Sequence, residues 1–96
     1  MCKNADYNSL SKVLTKAFDR ASKGKGKERH GINKPFKEQP IITEGEYFGI
    51  YPHLAQIRKK TLEVLRMDKD ASQRELLDII VYAAAAYIIL EEDNEL

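Results

Sequence analysis

Residues 75–90 spell ELLDIIVYAAAAYIIL, and within that stretch only Glu75 and Asp78 carry charge. The spacing predicts a helix running from the turn "MDKDAS" through "QRELLDIIVYAAAAYIILEE", opened by a capping box in which Ser72 precedes Glu75 by three residues. From Leu76 to Leu90 the helix is apolar on nearly every side, and such a helix has to be buried on nearly every side. The apolar run Ile79–Leu90 is too short to span a bilayer, which takes about 20 residues, so its cover has to be protein. With 96 residues the chain makes a single domain, 1–96, and a domain of this size hides only roughly 60 to 70% of its unfolded surface. Two more helices cannot wrap the third completely. The sequence therefore predicts a homo-oligomer through the third helix, with "AAAA" at 83–86 letting another helix come close.

Two helices are predicted upstream. Leu10, Val13, Leu14, Ala17, Phe18 and Ala21 follow the 3, 4, 3, 4 spacing of one helix face, and Gly24 and Gly26 stop that helix. The second is expected from about Pro52 to Met67. Its predicted buried side is Leu54, Ile57, Thr61, Leu62, Val64 and Leu65, with Arg58, Lys59, Lys60 and Glu63 facing out. Between them, from Gly24 to about Gly49, glycines and prolines interrupt every candidate period. Phe36, Ile41, Ile42, Tyr47, Phe48, Ile50 and Tyr51 nevertheless argue for order, because a disordered linker rarely carries so many large apolar groups. The expectation is an all-α, three-helix domain whose helices 1 and 2 are joined by a long, ordered basic loop, with a short extended piece at Ile41–Thr43.

Charge narrows the function classes. Sixteen Lys and Arg nearly balance fifteen Asp and Glu, for a formal charge of +1, which argues against a general nucleic-acid coat or a polybasic membrane binder; no long nucleic acid and no membrane are expected as partners. The distribution is uneven, however. Arg20, Lys23, Lys25, Lys27, Arg29, Lys34 and Lys37 face Glu28 alone between residues 20 and 37, whereas residues 91–96 hold Glu91, Glu92, Asp93 and Glu95. Cys2 is the one cysteine, so neither an intrachain disulfide nor a cysteine zinc site is available. With a polar N-terminus lacking a signal-peptide core, a cytoplasmic location in a bacterial host is expected.

The basic segment "SKGKGKERHG" at 22–31 is the candidate ligand site. Gly24 and Gly26 let backbone amides approach a phosphate, Lys25, Lys27 and Arg29 supply charge, and His30 supplies a hydrogen bond. The spacing is not that of a Walker motif. The alternative is a solvated basic loop after a helix C-terminus, where cations suit the macrodipole. Tyr47, Phe48 and Tyr51 follow the loop, and rings beside cations suit nucleotide recognition, in which bases stack on the rings and cations hold the phosphates. These rings either stack on a base, Tyr51 foremost, or anchor the loop to the core. His53 lacks a second histidine at ligand spacing, so no zinc site is expected.

Asp78 is the anomaly of the last helix, since a buried carboxylate is costly unless paired. Glu75 and Asp78 share a face and form a pair that suits Mg²⁺; otherwise Asp78 pairs with a cation such as Arg58, Lys59 or Arg74. On this helix the sequence resembles the last helix of the all-α MazG-type nucleotide pyrophosphohydrolases, where an E-x-x-D helps bind magnesium. That resemblance implies a magnesium-dependent hydrolase, and it also implies an E-x-x-E on an earlier helix, where this chain has only Glu63.

A broader resemblance covers most of the chain from about Ser22. "GKGKERHG", then "KPFKEQPI", "IRKK" and "ELLDIIVYAAAAYI", is similar to a group of small bacteriophage and prophage proteins. What this implies is an anti-defence role, in the class of oligomeric sponges that sequester cyclic nucleotide signals of systems such as CBASS and Thoeris. The expected function is non-enzymatic binding and sequestration of a phosphorylated, cyclic or linear nucleotide, without a cofactor. The alternatives are the MazG-like hydrolase with Glu75 and Asp78 on magnesium, and an interaction module that inhibits a host protein.

Overall fold

A computed structural model describes residues 6–23 and 35–92. The order is α1 (Asn8–Lys23), a 3₁₀ turn (Phe36–Glu38), α2 (Pro40–Thr43), α3 (Gly45–Phe48), α4 (Tyr51–Val64) and α5 (Lys69–Glu92). The described residues contain no strand, and the all-α expectation holds. The long apolar helix α5 is the axis on which α1, α2, α3 and α4 all pack. Among the described residues no helix is long and apolar enough to cross a membrane.

The core is small. Ile41 and Ile42 of α2 and Ala85 of α5 form its buried centre, and Phe36, Val81, Tyr82, Ile88 and Ile89 pack around them. Ala17 and Ala86 are the other buried apolar residues among those described. Alanine at 85, wholly inaccessible, lets neighbouring backbone come close enough for the two isoleucines of α2 to fill the remaining space.

Three sequence-based expectations are corrected here. First, Ile41–Thr43 is helical rather than extended, and the second half of the expected loop folds into the 3₁₀ turn, α2 and α3. Pro40 occupies the first turn of α2, where its fixed φ suits a helix start and its missing N–H is not needed. Gly49, with φ +66° and ψ −148°, ends α3 in a conformation that only glycine adopts readily. Helices of four residues leave no periodicity to detect. The first half of the loop, 24–34, lies outside the described residues.

Second, α5 starts three residues before Ser72. Asp68 Oδ1 accepts the Ala71 N–H at 2.8 Å, which makes Asp68 the cap. Ser72 lies inside the helix and its hydroxyl donates instead to the Val64 carbonyl at 3.0 Å, tying the end of α4 to the start of α5.

Third, α4 is rotated from its expected setting. Its inward stripe is His53, Ile57, Lys60 and Val64, at 4, 3, 4 spacing, with His53 buried and the other three half-buried. Leu54, Leu62 and Leu65, expected inside, are 48%, 56% and 84% exposed. The reason is electrostatic: Lys60 turns in to meet the carboxylates of α5. His53 turns in with it, its Nε2 on the Ile41 carbonyl and its ring edge-on to Tyr82.

Candidate functional site

The two acidic residues of α5 sit in a polar seam between α1, α4 and α5. Arg20, one helical turn beyond buried Ala17, points the same way and reaches Asp78: Nε to Oδ1 is 2.6 Å and Nη2 to Oδ2 is 3.3 Å. Lys60 of α4 approaches Glu75 Oε1 at 3.4 Å and Asp78 Oδ2 at 3.9 Å, with its ammonium 5.8 Å from the centre of the Tyr82 ring. The four side chains are between 13% and 21% exposed. The hydrogen bond that Arg20 donates to Asp78 raises its guanidinium above its ordinary range; partial burial opposes this and the charges of Asp78 and Glu75 add to it.

Two cations therefore answer two anions. Asp78 has its cation, but it is Arg20 with Lys60, not Arg58, Lys59 or Arg74. The arrangement does not suit magnesium, because the carboxylate oxygens it would require already face guanidinium and ammonium groups. Among the described residues no group of three or more His, Cys, Asp or Glu side chains is placed to hold a metal. Sequence reasoning missed Arg20 and Lys60 as the partners of Asp78: the apolar spacing puts Arg20 outside the stripe of α1 and Lys60 on the outward face of α4, and only the packing against α5 turns both inward.

The aromatic candidates lie elsewhere. Tyr47 and Phe48 on α3 and Tyr51 at the start of α4 are 80%, 63% and 80% exposed. The rings of Tyr47 and Phe48 have centroids 6.3 Å apart, tilted by 52°. Anchoring of this segment falls to Phe36, Ile41 and Ile42, which leaves the three rings on the surface. The phosphate candidates Gly24, Lys25, Gly26, Lys27, Arg29 and His30 lie outside the described residues. At the borders of that segment, Lys23 closes α1 and pairs with Asp19 at 3.5 Å, and Lys37 pairs with Glu92 at the far end of α5 at 2.6 Å. The hydrogen bond to Glu92 also raises the Lys37 ammonium above its ordinary range.

Much apolar surface stays open. Among the described residues fifteen large apolar side chains are more than a third exposed, against five buried apolar residues, all alanine or isoleucine. An open groove on α1 is bordered by Tyr7, Leu10, Leu14 and Phe18. No protein-family model, no curated protein and no solved structure matches the chain.

Proposed function

We propose that this chain is a non-enzymatic, homo-oligomeric binding protein that sequesters a small phosphorylated nucleotide, with cyclic nucleotide signals the first ligands to test, as phage anti-defence sponges do. The observation that carries this reading is the exposure of Tyr47, Phe48 and Tyr51, three rings within five residues of sequence that the fold leaves in water. Aromatic rings contribute most when covered, and a nucleobase is a flat partner that covers them. Tyr51 stacks on the base. Lys25, Lys27 and Arg29 hold the phosphates, with Gly24 and Gly26 giving backbone contacts and His30 a hydrogen bond. The ion pairs of Glu75 and Asp78 favour binding without hydrolysis, since the carboxylates that a magnesium site would use are engaged with Arg20 and Lys60.

The test is calorimetric titration with cyclic di- and trinucleotides, followed by chromatography of the recovered ligand. Stacking is worth about 1–3 kcal/mol per base, so Tyr51→Ala should weaken binding by roughly 5- to 150-fold with the helical circular dichroism unchanged. A ligand consumed in the presence of Mg²⁺ would revive the MazG-like hydrolase and overturn sequestration.

A second reading, a module that inhibits a host protein, is favoured by one observation: α4 and the residues that end it present Leu54, Leu62 and Leu65 to solvent beside exposed Arg58, Lys59 and Arg66. It predicts one specific host partner and no nucleotide binding.

A further inference from the structure

The outward face of α5 carries Leu76, Ile80, Ala83, Tyr87 and Leu90 at 4, 3, 4, 3 spacing, the a/d seam of a coiled coil. Leu76, Tyr87 and Leu90 are 48%, 69% and 50% exposed, Ala83 is exposed and Ile80 is half-buried. All five lie away from the core contacts of α5, which run through Val81, Tyr82, Ala85, Ile88 and Ile89. Resting on the homo-oligomer reading above, we infer that this stripe binds the same stripe of a second copy, with the two α5 helices antiparallel.

Charge sets the direction. The C-terminal end of α5 exposes Glu91 and Glu92, of which Glu92 is paired with Lys37, and Asp93 and Glu95 follow in sequence. Its N-terminal end balances Asp68 and Asp70 with Lys69 and Arg74, and Lys69 continues the stripe backward through Gln73. A parallel pair would set Glu91 against Glu91 and align the two macrodipoles. An antiparallel pair moves each acidic end to a neutral end, brings Lys69 toward Glu91 of the second copy, and opposes the dipoles. In antiparallel seams a positions face d positions, so Ile80 packs on the small Ala83 of the other copy, and Leu76 packs on Tyr87. The exposed alanine at 83 admits the close approach that this register needs.

Leu76 and Tyr87 are eleven residues apart, about 16 Å along a helix at 1.5 Å per residue, which separates the two orientations. In a Cys2→Ser background, Leu76→Cys and Tyr87→Cys chains are oxidised singly and as an equimolar mixture, after light scattering of the unmodified chain. The expected result is a mass of two chains or a multiple of two, with disulfide dimers abundant in the mixture and at least five-fold scarcer in either single variant. A multiple-chain mass with self-linked single variants overturns the antiparallel seam while leaving the oligomer standing. A mass of 11.0 kDa overturns both.

Discussion

Arg20 and Asp78, 58 residues apart in sequence, join the first and last helices through a side-on ion pair with Nε 2.6 Å from Oδ1. Lys60 completes the link to α4. Among the described residues the buried apolar set is only Ala17, Ile41, Ile42, Ala85 and Ala86, and this seam fixes how the three long helices are rotated against one another. Removing one partner from such a pair leaves a charge half-withdrawn from water. With about a fifth of each side chain still exposed, the loss falls below that of a fully buried pair.

Asp78→Asn and Arg20→Met should each destabilise the fold by about 1–3 kcal/mol. The Arg20→Met/Asp78→Leu double variant should lose less than the sum, because neither charge is then stranded. Denaturant unfolding of the four chains measures the coupling. Additive losses would show that the pair does not act as a unit. If Asp78→Asn instead left stability intact and changed only a magnesium-dependent activity, the carboxylate would be catalytic rather than structural.

Gly45 is required by packing. A Cβ at this position would lie 2.6–2.8 Å from Cδ1, Cγ1 and Cγ2 of Ile89, closer than van der Waals contact allows, and two of the three atoms are bonded directly to the isoleucine Cβ. Gly45→Ala should cost about 1–3 kcal/mol as an overpacked core position. Trimming the neighbour in Gly45→Ala/Ile89→Val should recover part of it. Equal stability of Gly45→Ala and the parent chain would mean that α3 does not sit this close to α5.

His53 is 3% exposed and its Nε2 contacts the carbonyl of Ile41, joining α4 to the α2 core. His53→Leu leaves that carbonyl without this partner and should lower stability by about 1–3 kcal/mol. His53→Gln, which keeps a donor near the same position, should lose less. Thermal unfolding ranks the three chains, and an order in which Leu is the more stable replacement would contradict a role for the bond.

The Lys37–Glu92 bridge has a defined pH signature. Its folded-state ammonium titrates above the ordinary lysine value of 10.5, so the charged form favours folding. That contribution is complete below 10.5 and is lost as pH rises through the raised folded-state value. The difference in Tm between the parent chain and Lys37→Met should hold steady from pH 7 to 9 and close above about 10.5. A difference that widens at alkaline pH would contradict the bridge.

The long helices were legible in the sequence because Leu10, Val13, Leu14 and Ala17, and the run Ile79–Leu90, keep helical spacing over several turns. The short helices α2 and α3 were not. Four residues bounded by Pro40, Gly45 and Gly49 hold less than two turns, and it is burial of Ile41 and Ile42 against Ala85 that makes them fold. The rotation of α4 was hidden for another reason: counting leucines put Leu54, Leu62 and Leu65 inside, whereas Glu75 and Asp78 of a different helix draw Lys60 inward. The carboxylate anomaly at Asp78 was visible from sequence, but its partner Arg20 belongs to a helix 58 residues away. Of the candidate ligand site, the aromatic residues are described and exposed, and the cationic ones lie outside the described residues.

Thermal unfolding of the full chain against a nucleotide panel tests sequestration most directly. The panel holds mono- and triphosphates, cyclic di- and trinucleotides and ADP-ribose derivatives, each with and without Mg²⁺. A ligand that binds only the folded state at a hundred times its Kd adds about 2.7 kcal/mol, which for a domain of this size raises Tm by roughly 10–20 °C. Sequestration predicts such a rise with at least one nucleotide, independent of Mg²⁺, lost in Lys25→Ala/Lys27→Ala/Arg29→Ala, and with the ligand recovered intact. No shift across the panel would contradict it.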